Sequence, residues 1–138
     1  MRLIGPSPAS VSIGVPARTS AFTLSGNRAA NIAEDPVNFE MYVADHGCSE
    51  VTVVLGTKIV KTIGVGTDPF GVAFDPKTGF MYVSNTGSGT LTVLNGTKIA
   101  ITVFLGAPPF GDGVGYDPAN GLVYVTGGDP RPVVGGDG

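Results

Sequence analysis

The chain has 138 residues, of which 14% are charged and 42% hydrophobic, and its formal net charge is −3. That acidic balance, with no basic residues clustered beyond Lys58 and Lys61, excludes a phosphate-neutralising surface, so no nucleic-acid partner is expected. A charged fraction well below the ~25% of ordinary soluble domains leaves little to keep a surface monomeric, no run is long enough for membrane insertion, and one cysteine excludes an intrachain disulfide.

Residues 1–30 read as a worn, partial copy of a unit that is clearer downstream. At a spacing of 40 residues, Met1-Arg2-Leu3-Ile4 falls under Met41-Tyr42-Val43-Ala44, and Ser10-Val11-Ser12-Ile13 under Glu50-Val51-Thr52-Val53. Pro6 and Pro8 interrupt any apolar stretch after Ile4, so this start does not read as a signal peptide.

The unit becomes explicit over residues 31–70 and 71–111. Residues 47–66 lie over residues 87–106 without a gap, sharing Thr52/Thr92, Val53/Val93 and the run Gly56-Thr57-Lys58-Ile59/Gly96-Thr97-Lys98-Ile99. Ile32-Ala33-Glu34-Asp35-Pro36 likewise falls under Val72-Ala73-Phe74-Asp75-Pro76. A fixed period of this size means stacked supersecondary units. Each unit reads as four short strands rich in Val, Ile, Tyr, Phe and Thr. In the clearest copy these are Gly71 to Phe74, Phe80 to Ser84, Thr90 to Leu94 and Lys98 to Leu105. The separators carry turn chemistry: Asp75-Pro76-Lys77-Thr78-Gly79, Thr86-Gly87-Ser88-Gly89 and the hairpin dipeptide Asn95-Gly96. No window sustains a helical period, so the chain is read as all-β.

Residues 112–138 form the last, partial copy. The insertion Asp112-Gly113 moves the register from 40 to 42, after which Asp117-Pro118 answers Asp75-Pro76 and Val123-Tyr124-Val125 answers the second strand of the unit. Where a third strand should follow, Pro130-Arg131-Pro132 argues against one. Four antiparallel strands about every 40 residues is the blade of a β-propeller, here about 3 to 3.5 repeats in a single repeat domain over 1–138 with incomplete terminal blades.

The absence of tryptophan sets aside the WD type. Pro69-Phe70-Gly71-Val72-Ala73-Phe74-Asp75-Pro76, then Met81-Tyr82-Val83-Ser84-Asn85 and Leu91-Thr92-Val93-Leu94, resemble the YVTN-type propeller repeat of surface-layer-associated proteins. The likeness covers residues 31–126 well and 1–30 weakly; Glu34 stands in place of an apolar residue, and Asp45-His46 in place of the final Asn. This resemblance implies an extracellular or cell-surface protein that acts as a scaffold or binding module, without a catalytic signature.

Unfinished blades leave strand edges that template pairing with another chain. The expected function is therefore self-assembly into a ring or filament, early strands of one subunit completing the last blade of the next. Candidate interface residues are Leu3, Ile4, Val11, Ile13, Val123, Tyr124 and Val125. The alternative is a propeller binding module, or a piece of a longer one, for a protein or small-molecule partner.

Chemistry-bearing residues are few. Asp45, His46 and Cys48 form the one cluster of metal-ligand types, but a structural site needs four ligands, so the expectation is a solvated loop, no metal and no cofactor. Cys48 is read as free or as linking subunits. A single histidine with no paired nucleophile argues against catalysis, so no catalytic residue is assigned. Asp35, Asp75 and Asp117, each before proline, are read as turn initiators, and the acids at Gly111-Asp112-Gly113 and Gly128-Asp129 lack the spacing of a calcium loop. Asn95-Gly96-Thr97 is a glycosylation sequon at a hairpin tip, although the Asn-Gly pair is explained by the turn.

Overall fold

A computed structural model describes residues 29–106 and 113–127. Among them the chain is all-β, with ten strands and no helix. They are β1 (Ala29–Asp35), β2 (Glu40–Asp45), β3 (Glu50–Leu55), β4 (Lys58–Gly64), β5 (Pro69–Asp75), β6 (Phe80–Asn85), β7 (Thr90–Asn95), β8 (Lys98–Phe104), β9 (Val114–Asp117) and β10 (Leu122–Val125). They form antiparallel sheets in the orders β1-β2-β3-β4, β5-β6-β7-β8 and β9-β10.

The first two sheets repeat with the period of the sequence. Each strand of the second begins and ends 40 positions after its counterpart, and β9 and β10 begin 42 positions after Val72 and Phe80. Even the irregularities recur: the β3–β4 ladder shifts between Val53 and Val54, and the β7–β8 ladder between Val93 and Leu94. Strand β5 starts at Pro69, two residues before the strand read from the sequence, because its first turn pairs through an irregularity between Pro69 and Val72.

Period-two alternation sends successive side chains to opposite faces and lets each sheet share a core with the next. Tyr42, Val51, Val53 and Ile63 of the first sheet bury against Met81, Val83 and Leu94 of the second. From the second sheet's other side, Tyr82, Leu91 and Val93 bury against Val123 and Val125 of the third. The outer strands β4 and β8 are largely exposed, with Ile59, Val60, Ile99, Ile101 and Phe104 in the open. Lys58 and Lys98 stand exposed where those strands begin, the place for charges that discourage edge pairing.

Turn chemistry closes the unit. Gly96 has φ +64° and, with Thr97, joins β7 to β8 in a two-residue hairpin whose first central position alone is left-handed, the pattern of a type II′ turn. Asn95 is thereby the last residue of β7, exposed and paired with Lys98, not a central residue of the turn.

Candidate functional site

Two places hold candidate residues: the four-residue connection from β2 to β3, and the free side of the third sheet.

At the first, Asp45 ends β2 and pairs across the ladder with Glu50, the first residue of β3. Residues 46–49 turn the chain, with the Cys48 N–H donating to the Asp45 carbonyl at 3.0 Å and Ser49 at φ +57°. One ligand atom each from Asp45, Cys48 and Glu50 lies within 4.8 Å of the others. Asp45 is 2% exposed, and its Oδ1 has no hydrogen-bond partner among the described residues. The expected solvated loop is thus half wrong, because the acid at its head is buried. His46 is not in the group. Its ring meets Phe70 edge-on, with centroids 6.1 Å apart. Glu50 takes its place, a residue missed in the sequence because only the cross-strand register brings it opposite Asp45. Cys48 is free and partly buried.

The equivalent turn of the second sheet shows what these positions do with neutral side chains. Asn85, Ser88 and Thr90 stand 40 positions after Asp45, Cys48 and Glu50. Asn85 Nδ2 donates to Thr90 Oγ1 at 3.1 Å and to Thr92 Oγ1 at 2.8 Å, and Ser88 Oγ lies 3.0 Å from Thr90 Oγ1. Ser88 Oγ also accepts the Thr67 N–H of the preceding connection at 3.1 Å.

At the second place, β10 pairs on one side with β9 and has no ladder on its other side among the described residues. Of the candidate interface residues, Val123 and Val125 are buried against the second sheet, so their side chains already serve the chain's own core, while Tyr124 points the other way and is 49% exposed. Its hydroxyl accepts from Asn120 Nδ2 at 3.0 Å. Leu3, Ile4, Val11 and Ile13 lie outside the described residues.

The aspartates before proline cap turns, as expected. Asp75 Oδ1 accepts the Lys77 N–H at 2.8 Å and its Oδ2 the Thr78 hydroxyl at 2.7 Å; Asp35 does the same with Val37 and Asn38, and Asp117 with Ala119. Burial pushes the Asp75 carboxyl up, but hydrogen bonds from Thr78, the Lys77 N–H and Tyr116 outweigh it and hold the group below the usual carboxylate range. Burial and the neighbouring Glu40 carboxylate push the Tyr42 phenol up. The acids at 112 and 129 lie outside the described residues.

No family model matches the chain, and no curated protein does. Among solved structures it is similar to a chain of Kuenenia stuttgartiensis hydrazine synthase, with a TM-score of 0.61 and 19% identity. The match covers 75% of this chain but 32% of that one, so this chain spans about a third of its length. At that identity the likeness concerns the arrangement of strands.

Proposed function

We propose that the chain is a non-enzymatic structural unit of propeller-type blades that acts outside the cell or at its surface by joining copies of itself. Strands of one subunit complete the open sheet of the next, in a head-to-tail contact that makes a ring or a filament.

The observation that carries this reading is the free side of the third sheet. There, among the described residues, β10 offers an unpaired backbone edge and Tyr124 an exposed aromatic face, at the repeat position where Tyr42 and Tyr82 are buried. An edge of this kind is a template for a further strand. Low charge and the exposed apolar residues of β4 and β8 favour association as well.

The second reading, a binding module within a longer propeller, is favoured by the fraction of the hydrazine synthase chain that the match spans. In it, further blades of one polypeptide cover the same edge. Light scattering of the purified chain tests the first reading, which expects large particles that persist on dilution. A monodisperse 13.9 kDa species rejects it.

A further inference from the structure

We propose that the β2–β3 turn is a binding site for a thiophilic divalent cation of the zinc class, held by Asp45, Cys48 and Glu50. The inference is independent of how copies of the chain associate.

The repeat places the same turn in two chemical versions. The second sheet fills these three positions with an amide and two hydroxyls, groups that donate and accept, and they bond to one another. In the first sheet the same positions hold two carboxylates, which when ionised only accept, and a thiol, which is a weak donor. Asp45 and Glu50 face each other directly across the ladder, where like charges repel. Their ligand atoms and the Cys48 sulfur nevertheless converge to within 4.8 Å.

The second observation is the burial of Asp45. Asp45 is 2% exposed, and its Oδ1, unpartnered among the described residues, has given up water without receiving a donor there. Asn85 Oδ1 is also unpartnered, but it belongs to a neutral amide whose nitrogen is bonded twice. An ionised oxygen in that position costs far more. A cation supplies what the turn lacks.

The donor set selects the ion. A thiolate favours zinc and its neighbours over calcium or magnesium, which take oxygen ligands. Tetrahedral zinc with bonds of about 2.0–2.3 Å needs donors about 3.5 Å apart, so side-chain rotations of roughly 1 Å close the site. Three protein ligands leave the fourth position to water. Binding forms a metal–sulfur bond and releases the Cys48 proton to solvent, so affinity falls as pH is lowered.

The test is calorimetric titration of the full, reduced chain with zinc, and with cobalt(II) as an absorbing substitute. The expected result is one ion per chain and a thiolate-to-cobalt charge-transfer band. The variant D45N/C48S/E50T installs the chemistry of the second sheet's turn, a combination this backbone already accommodates, and is expected to weaken binding at least hundredfold and to remove the band. H46A, altering the one nearby ligand type that lies outside the cluster, is expected to bind as the parent does. Absence of binding by the parent overturns the proposal. Equal binding by the triple variant, or loss of binding in H46A, overturns it too.

Discussion

The repeat supplies an internal control for single residues, and the sharpest concerns backbone conformation. Gly79 and Gly121 close the Asp-Pro turns at φ +81° and +74°, and in the first sheet that position is Phe39, at φ +60° and 73% exposed. A left-handed conformation costs an ordinary residue about 1–2 kcal/mol, and Phe39 shows no burial to offset it. Phe39→Gly is expected to stabilise the fold by about 0.5–1 kcal/mol, read as a rise in the urea midpoint, because the glycine's added freedom when unfolded cancels part of the gain. Gly79→Ala should cost a similar amount. Asp75 gives a second expectation at this scale. Its folded pKa lies below its unfolded one, so the stabilisation is complete above the ordinary carboxylate range and is lost as pH falls through the folded value. Asp75→Asn should therefore flatten the decline of stability below about pH 4, followed by denaturant midpoints across that range.

At the scale of elements, the repeat and its turn residues were enough to place the strands. Asp-Pro pairs, Gly-rich connections and Asn95-Gly96 bound every apolar run, and the observed strands from Pro69 to Phe104 follow those marks to within two residues. The approaches between sheets were not legible, because period-two alternation says which residues share a face but not what covers it. Gly71 is such a case. A Cβ there would stand 2.8 Å from the Val114 nitrogen and 2.9 Å from Ser84 Oγ, where β5 runs beside β9. Gly71→Ala is expected to cost about 1–3 kcal/mol, since backbone cannot yield as a side chain can. Gly115→Ala, whose Cβ would meet nothing within 4 Å, should fall within about 0.5 kcal/mol of the parent, both measured by urea unfolding. The metal-ligand cluster was half legible for a related reason. Asp45 and Cys48 are close in sequence, whereas His46 turns toward Phe70 and Glu50 joins only through the ladder.

For the whole molecule, three tyrosines at one repeat position separate a finished face from an open one. Tyr42 is 1% exposed beneath the second sheet, its hydroxyl donating to the Gly96 carbonyl at 3.2 Å; Tyr82 is 2% exposed in the core shared with the third sheet; Tyr124 is 49% exposed. The chemistry of the side chain is constant along this series, so the difference lies in whether a following sheet covers it. Tyr42→Asp would bury an unpaired charge and is expected to unfold the chain. Tyr124→Asp separates the possibilities on a folded protein. If Tyr124 faces water in a lone chain, the substitution changes stability by no more than about 0.5 kcal/mol and leaves the particle size as it was. If another subunit's strands lie over it, as the proposed assembly requires, the charge is placed inside that contact, and light scattering should show the particle reduced toward single chains while circular dichroism retains the β signal. An unchanged large particle would place the contact elsewhere on the molecule, with the exposed outer strands β4 and β8 as the next surfaces to substitute.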